Sequence, residues 1–492
     1  FKGAFIRKLC EKKIVNPFHY KFPRQLIGFP VSGHESGSLA VFTDASGSTP
    51  VPFQISGGKA WIFAELPQED SISVCIYSAD ASLGLEYSSK LELIAGTDGT
   101  AVISTGTASF KIPWGPQRLP AAPVISIKGA DALWRGAGRF KLPDPLSVSQ
   151  QTTEILEQGP LFIKLMISYS FDGGRRLEYT LTFHEGEAYV LVHEKSFKMD
   201  GASFELSLSE FSGGRGYLHW CAEHNSQHWT TLDRSSRELA RLQESVAWWI
   251  PKHGFGYAVT KDGLESKDYI GVFTIRRGEW EDLDFDKICH GPGDDNRELD
   301  WPFPEMIGST LSMITAHTSK EGDVFFSFNF FNGERQWGLL ASSFEINDGP
   351  YKELGLVQHK NSSPRLDDFK DWQLDMKDHT VRPSVIADSD ELRDILEKRK
   401  SPEMARAWRN MAANLNVGPA YGFKAILDGD TTAVWRLKQV IMQNARLRSK
   451  LTLQGRDFGD VYSPVGGRPI TPLAEQYDLI APTGIFNEDE ER

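Results

Sequence analysis

The densest group of chemically reactive side chains lies in a loop near the end of the sequence. The loop, GRDFGDVYSPVGGRPIT, runs from residue 455 to 471 between two helical stretches, and it carries Arg456, Asp457, Asp460, Tyr462 and Arg468. Two arginines can hold a carboxylate, and a tyrosine hydroxyl can accept or donate a proton. Long charged loops often serve function. We therefore predict catalytic roles for Arg456, Arg468 and Tyr462, with the two aspartates binding substrate. The alternative is a structured loop with surface ion pairs.

A second polar stretch, CHGPGDDNRELDW, covers residues 289–301. His290 could act as a general base. Asp294, Asp295 and Asn296 offer the oxygen ligands that a hard divalent cation such as calcium prefers, although their spacing is not that of an EF-hand loop. The sequence thus predicts a catalytic His290 and a calcium site on these three residues. The alternative is an ordinary connection between two strands.

Three further residues are predicted to bind substrate. His359 and Arg365 lie in QHKNSSPRLDDFKD, where β-type sequence gives way to helical sequence, and a domain linker is the alternative there. Trp337 begins the apolar run WGLLASSFEI. Aromatic rings can stack on the apolar faces of sugars, but most aromatics of a large β protein belong to its core.

Composition limits the classes of partner. The 492 residues carry a formal net charge of −12, which argues against nucleic acid because phosphate binding needs a basic face. No apolar run reaches the length of a membrane helix, so we expect no membrane partner. The four cysteines form no CxxC pair. The first residues contain no apolar signal-peptide segment. A secreted or periplasmic location is nevertheless expected.

Residues 1–384 have the pattern of antiparallel strands. Short alternating runs are separated by clusters of Gly, Asp, Ser and Pro. We predict a small β barrel-like domain over residues 1–100 and a large antiparallel β-sandwich over 101–384. The clearest stretch is a three-strand meander over residues 161–197, with turns at Asp172-Gly173-Gly174 and Glu185-Gly186-Glu187.

Residues 385–492 have helical periodicity and form the third predicted domain. One helix is predicted from about Thr431 to Lys450, with Val434, Leu437, Ile441 and Ala445 on its apolar face. Asn487 and Glu490 have capping-box spacing and predict a further helix start. The pattern of residues 385–492 predicts four helices in all, and four helices cannot close a helical barrel. We therefore expect an incomplete α/α toroid whose remaining helices are missing or supplied by another chain.

Three stretches carry a family resemblance. LAEQYDLIAPTGIFNEDEER, residues 473–492, resembles a helix pair from the α/α toroids of lyases of the alginate lyase and heparinase II/III type. Residues 154–192, from EILEQGPLFIKLMISYSF to YVLV, resemble the β-supersandwich of the same lyases. Residues 24–54, including VPFQ, are similar to the opening of the small barrel domain in the exo-rhamnogalacturonan lyases, the YetA-like group.

The resemblance implies a polysaccharide lyase that cleaves a uronate-containing glycan by β-elimination. Arg456 or Arg468 would then neutralise the uronate carboxylate, and Tyr462 would transfer the proton. The same modules occur in glycoside hydrolases, so a hydrolase using two carboxylates is the first alternative. A non-catalytic glycan-binding module is the second. In each case the expected partner is a polysaccharide or oligosaccharide.

Overall fold

The structure is a computed structural model, and it describes a large part of the chain. The described residues are 5–16, 21–31, 39–43, 50–79, 87–116, 121–199, 201–211, 215–221, 227–232, 255–260, 269–275, 314–318, 324–330, 332–341, 353–354, 356–357, 360–361, 365–370, 389–398, 400–402, 404, 425–426, 428–453, 470–487 and 490. Twenty-four strands in these ranges form antiparallel sheets. Among the described helices, none is long and apolar enough to cross a bilayer.

The first six strands form a unit that we call the N-terminal β unit. They are β1 (Phe5–Val15), β2 (Phe22–Pro30), β3 (Leu39–Phe42), β4 (Phe53–Ser56), β5 (Lys59–Leu66) and β6 (Ser71–Ala79). They build two three-stranded sheets, ordered β1-β6-β3 and β2-β5-β4. Strand β5 alternates strictly: Ala60, Ile62 and Leu66 are buried in the core between the sheets. The intervening side chains, including Trp61 and Phe63, therefore point outward.

The following strands form three sheets that we call the sandwich. The strands are β7 (Glu92–Ala95), β8 (Thr100–Ser104), β9 (Ser109–Pro113), β10 (Ser126–Lys128), β11 (Trp134–Arg135), β12 (Ala137–Lys141), β13 (Val148–Gln158), β14 (Phe162–Phe171), β15 (Arg175–His184), β16 (Tyr189–Phe197), β17 (Ser203–Leu208), β18 (Arg215–Cys221), β19 (Gln227–Leu232), β20 (Phe255–Thr260), β21 (Tyr269–Thr274), β22 (Ile314–Thr318), β23 (Val324–Asn329) and β24 (Gly333–Ala341). Strands β7–β11 form a five-stranded sheet in the order β11-β10-β9-β8-β7. The other two sheets are ordered β12-β17-β23-β22 and β13-β14-β15-β16-β24-β21-β20-β18-β19.

The predicted meander over residues 161–197 is confirmed as β14, β15 and β16. Their register pairs Lys164 with Thr182 and Thr182 with Leu191. Along β15 the odd-numbered side chains from Leu177 to Phe183, such as Tyr179 and Leu181, are fully buried. The even-numbered ones lie on the opposite face of the sheet. One face of the meander therefore builds the core, and the other face points away from it.

The core of the sandwich lies between the nine-stranded sheet and the two smaller sheets. Phe183 packs on Phe110 of the five-stranded sheet, with ring centroids 5.4 Å apart. Trp337 stacks on Phe328 of the four-stranded sheet at 4.3 Å. Aromatic pairs of this kind bury large apolar areas and fix the packing of the layers. The expected β-rich multidomain fold with an antiparallel sandwich is thus present.

The middle of the nine-stranded sheet contains a buried ion pair. Glu194 and Arg335 are direct cross-strand partners on β16 and β24, and both side chains are 0% exposed. Arg335 Nη2 lies 2.9 Å from Glu194 Oε1 and donates to Oε2 at 3.0 Å. Trp337 Nε1 donates to the same Oε2 at 3.2 Å. Removing two charges from water costs free energy, and close pairing of this kind is needed to offset that cost.

The helices are α1 (Leu366–Phe369), α2 (Ser389–Lys398), α3 (Thr431–Leu453) and α4 (Ile470–Ile480). Val434, Leu437 and Ile441 of α3 are buried against α4, as the sequence predicts. Ala445 is exposed, so the buried face of α3 ends one turn earlier than predicted. The toroid itself remains a prediction.

The predicted capping box is present. Asn487 N donates to Glu490 Oε2 at 2.9 Å, and Glu490 N donates to Asn487 Oδ1 at 3.0 Å. Each residue therefore satisfies a backbone N–H of the other, as the spacing requires.

Candidate functional site

A cleft of about 310 Å³ lies where the N-terminal β unit meets the outer face of the nine-stranded sheet. The sheet supplies the floor, the N-terminal β unit supplies one wall, and Lys360, Asn361, Arg365 and Asp367 supply the other. Ligand sites favour such boundaries between structural units, and the volume is at the lower end of the usual range. The lining side chains include Gln25, Leu26, Ser56, Trp61, Phe63, Glu157, Phe162, Lys164, Thr182, His184, Tyr189, Leu191, Lys360, Asn361, Arg365 and Asp367.

The floor is a cross-strand row on the outward face of the meander. Glu157 pairs with Lys164, Lys164 with Thr182 and Thr182 with Leu191, so the row crosses four strands. The ammonium of Lys164 lies 3.9 Å from Glu157 Oε1. Glu157 Oε2 accepts a short hydrogen bond from Ser56 Oγ of the N-terminal β unit. The floor thus presents a cation, a hydroxyl and an apolar side chain side by side.

The wall carries an indole ring. Trp61 lies on the outward face of β5, and its Nε1 donates to Ser56 O at 3.1 Å, which fixes the orientation of the ring. Its cross-strand neighbour on β2 is Gly28, where a Cβ atom would lie 3.0 Å from the ring carbons. The glycine therefore leaves the space that the indole occupies. An indole held in this way can offer an apolar surface to a ligand.

His184 lines the cleft between the N-terminal β unit and the sheet. Its ring meets Phe63 of the N-terminal β unit edge to face at 6.1 Å and Phe162 of the sheet at 6.3 Å. Burial lowers the pKa of His184 to about 4, and Glu187 opposes this shift only in part. The imidazole is therefore neutral at neutral pH.

A charged network joins the N-terminal β unit to the sheet beside His184. Arg24 Nη2 binds Glu185 Oε2 at 2.7 Å, and its Nη1 lies 3.3 Å from Glu187 Oε1. Its guanidinium also stacks on the Phe63 ring, 3.6 Å from the centroid. Lys360 forms a close ion pair with the same Glu187 oxygen. Burial lowers the pKa of Lys360, with Glu187 acting in the opposite direction.

The described residues between 353 and 370 fasten the two units together, and we call them the strap. Leu354 and Val357 are buried in the core of the sandwich, whereas Leu366 is buried in the core of the N-terminal β unit. Leu366 N donates to Gln25 Oε1 at 2.8 Å. Asp367 Oδ1 accepts from Gly28 N at 2.8 Å. The strap therefore holds the wall of the cleft at a fixed place over its floor.

Gln54 provides a second fastening. Its Oε1 accepts from Leu161 N at 3.2 Å and from Phe162 N at 3.0 Å, and both of these residues are buried. Gly159 makes this approach possible, because a Cβ atom there would lie 2.4 Å from Gln54 Cδ. The amide of Gln54 is therefore the hydrogen-bond acceptor for the turn that leads into β14.

Replacing Gln54 with Met should lower the free energy of unfolding by about 1–2 kcal/mol. Methionine keeps most of the side-chain volume but leaves the N–H groups of Leu161 and Phe162 without their acceptor. Chemical denaturation of both proteins measures the change. Gln158→Met, in the same turn region, is the control and should stay within about 0.5 kcal/mol of the wild type. Equal losses in the two variants would contradict this role for Gln54.

The structure places two of the sequence-predicted site residues. Arg365 lines the cleft and is exposed at its edge. Trp337 is 0% exposed and belongs to the core of the sandwich, so its predicted role in substrate binding is replaced by packing and by the hydrogen bond to Glu194. The other predicted residues lie outside the described residues, and their roles stay predictions: Arg456, Asp457, Asp460, Tyr462, Arg468, His290, Asp294, Asp295, Asn296 and His359.

Sequence reasoning missed Trp61, Lys164 and His184. The signal for Trp61 was present in KAWIFAEL, where Trp61 and Phe63 alternate with the buried residues of β5. Lys164 and His184 each occupy an outward position of a strand whose inward face is apolar. Their meeting in one cleft depends on the docking of the N-terminal β unit, which no local pattern encodes.

The predicted calcium site is not tested by the described residues. Among them, no group of three or more His, Cys, Asp or Glu side chains could hold a metal ion.

Comparison with known proteins leaves the family of this chain open. No family model matches the sequence, and no curated protein matches it. Among solved structures, an alpha-mannosidase from Enterococcus faecalis V583 is similar at 7% identity and a TM-score of 0.38, over 71% of this chain and 44% of that one. A protein in the glycosyl hydrolase family 38 from Enterococcus faecalis is similar at 6% identity and a TM-score of 0.37, over 72% and 46%. The chain thus spans less than half the length of either protein.

Proposed function

We propose that this chain is the β-rich part of a carbohydrate-active enzyme that hydrolyses glycosidic bonds and that its cleft binds part of the glycan. The observation that carries the proposal is the juxtaposition of Trp61 with the polar floor of the cleft. A sugar has an apolar face and a rim of hydroxyls, so it needs an aromatic surface and hydrogen-bonding groups in one place.

The groups in the cleft match the hydroxyls of a sugar. Lys164 can donate hydrogen bonds from the floor, and Thr182 beside it can donate or accept. Asn361 on the strap adds an amide, of which the nitrogen already donates to Val357 O at 2.8 Å. The volume of about 310 Å³ has room for one or two sugar units. The cleft is therefore proposed to hold a short stretch of the glycan.

The acid–base properties of three groups in the cleft bear on whether the reaction is an elimination. Elimination next to a uronate needs a base, commonly Tyr, His or Lys, that can take the C5 proton. Burial raises the pKa of Tyr189 well above its usual value, so its phenolate is inaccessible near neutral pH. With a pKa of about 4, His184 is a weak base, and Lys360 is engaged by Glu187. These three groups are poor candidates for an elimination base.

Product analysis tests the proposal. The protein is incubated with a panel of neutral and acidic oligosaccharides and polysaccharides, and new reducing ends are assayed together with the ultraviolet absorbance of unsaturated uronates. We expect new reducing ends without a rise in absorbance. A rise in absorbance would instead establish the lyase reaction that the family resemblance implies. Binding of a glycan without either signal would support the non-catalytic alternative, and a failure to bind any glycan would refute the proposal as a whole.

A further inference from the structure

The contact between the N-terminal β unit and the sandwich, which we call the junction, contains a titratable ring within its packing. The ring of His184 stands nearly perpendicular to two phenyl rings, at 90° to Phe63 from the N-terminal β unit and at 83° to Phe162 from the sheet. An imidazole in this position is part of the surface along which the two units adhere. The charge state of the imidazole therefore affects the contact between the N-terminal β unit and the sandwich.

The carboxylates around His184 are already balanced by cations when the ring is neutral. Arg24 and Lys360 together carry two positive charges, and their partners Glu185 and Glu187 carry two negative charges. Asp367 is paired with Lys370 at 2.9 Å, and Glu157 lies beside Lys164. Arg24, Glu187, Lys360 and Arg365 act electrostatically on His184. The other charged groups of the cleft and of its ion-pair network are Glu157, Lys164, Glu185 and Asp367.

A proton on His184 would disturb this balance. Every carboxylate of the network already has a cationic partner or a backbone donor. The imidazolium would therefore have to share a carboxylate with another group. It would also lie between two phenyl rings, where loss of hydration is costly for a charged group. Arg24, Lys360 and Arg365 would repel it. If the N-terminal β unit moves away from the sheet, Phe63 and Arg24 leave with it, so the ring gains hydration and loses one source of repulsion.

We propose that His184 makes the junction an acid-sensitive clasp. The neutral ring closes the N-terminal β unit onto the sandwich, and protonation of the ring releases it. Because Trp61 belongs to the unit that moves and Lys164 to the sheet that stays, release also takes the cleft apart. The acid-dependent release does not depend on the nature of the ligand, so it can be tested separately from the proposed function.

The pH range of the response follows from the pKa of His184. Its pKa is lowered to about 4 in the folded protein from the ordinary value of 6.5. The folded state therefore binds fewer protons than the open state between these values, and closure becomes less favourable as the pH falls. The contribution of His184 to closure is therefore complete above pH 6.5 and is lost progressively as the pH falls towards about 4.

Hydrogen exchange of the junction amides tests the clasp. Four backbone N–H groups bond across it or to the strap, those of Gly28, Leu161, Phe162 and Leu366. In the wild type, exchange of peptides containing these amides, corrected for the intrinsic pH dependence, should increase at least tenfold between pH 7 and pH 4.5. His184→Asn and His184→Phe, which cannot be protonated, should remove most of this increase.

A second histidine provides the control. His193 lies on the same sheet and pairs with Glu334 at 3.2 Å, and it does not line the cleft. His193→Asn should keep the wild-type response. The proposal is overturned if the wild-type amides stay equally protected at both pH values. It is also overturned if both His184 variants open as the wild type does, because the carboxylates would then be responsible.

Discussion

Replacing Arg335 with Met is expected to lower the free energy of unfolding by about 3–5 kcal/mol at neutral pH. The substitution leaves Glu194 as a fully buried carboxylate that still accepts the hydrogen bond from Trp337 Nε1 at 3.2 Å. Burial already raises the pKa of Glu194, and Arg335 opposes that shift. Without the guanidinium the pKa of Glu194 rises further. Chemical denaturation of the two proteins measures the loss.

The loss should depend on pH with a defined sign. A carboxyl group whose pKa is higher in the folded than in the unfolded state takes up a proton on folding, so it destabilises the folded state as the pH rises through that range. The difference between Arg335→Met and the wild type should therefore be largest near pH 7 and smaller near pH 5. Both proteins are compared at each pH, which removes the contribution of His184.

A double variant separates charge burial from packing. Glu194→Gln combined with Arg335→Met removes both charges, while the amide oxygen still accepts the hydrogen bond from Trp337. This protein should recover more than half of the lost stability, and its difference from the wild type should not vary with pH. If it were as unstable as the single variant, the loss would come from the missing side-chain volume and not from the unpaired carboxylate.

Replacing Trp61 with Ala is expected to weaken glycan binding by about 2 kcal/mol, which is roughly a 30-fold increase in Kd. The ring is the largest apolar surface on the wall, and its orientation is held by the hydrogen bond to Ser56 O. Calorimetric titration with an oligosaccharide that the wild type binds measures the effect. Because the side chain is only partly buried, the fold should survive the substitution.

Trp134 is the matched control for this substitution. It is 41% exposed on β11, and Lys128 lies over its ring at 5.3 Å, much as Lys59 lies over Trp61 at 5.3 Å. Trp134 is not among the residues that line the cleft. Trp134→Ala should bind the oligosaccharide as the wild type does. Equal weakening by both substitutions would mean that aromatic exposure in general, and not the cleft, accounts for the binding.

Alternation predicted most of the β architecture. The meander over residues 161–197 combines strict period-two burial with glycine-containing turns, so both its strands and its buried face could be assigned from the sequence. The reciprocal hydrogen bonds of Asn487 and Glu490 were predictable for the same reason, since they depend only on local spacing. Alternating burial and hydrogen bonds between residues a few positions apart can therefore be predicted from the local sequence.

The cleft could not be predicted in this way because it depends on contacts between distant parts of the chain. Arg24 meets Glu185, and Gly28 meets Asp367, across 161 and 339 residues. A tryptophan in an apolar run looks the same in sequence whether it is exposed or buried, so the predicted binding role of Trp337 did not anticipate its place in the middle of β24. Its burial follows from the pairing of β16 with β24, which brings Glu194 beside it.

The most direct test of the account is to map where the glycan binds. An oligosaccharide carrying a photoactivatable group is cross-linked to the whole protein, and the labelled peptides are identified by mass spectrometry. The account predicts labels on peptides from β5 and β14, which carry Trp61 and Lys164, and their loss when unlabelled oligosaccharide is added in excess. Competed labels confined to residues 289–301 or 455–471, with none on β5 or β14, would contradict it.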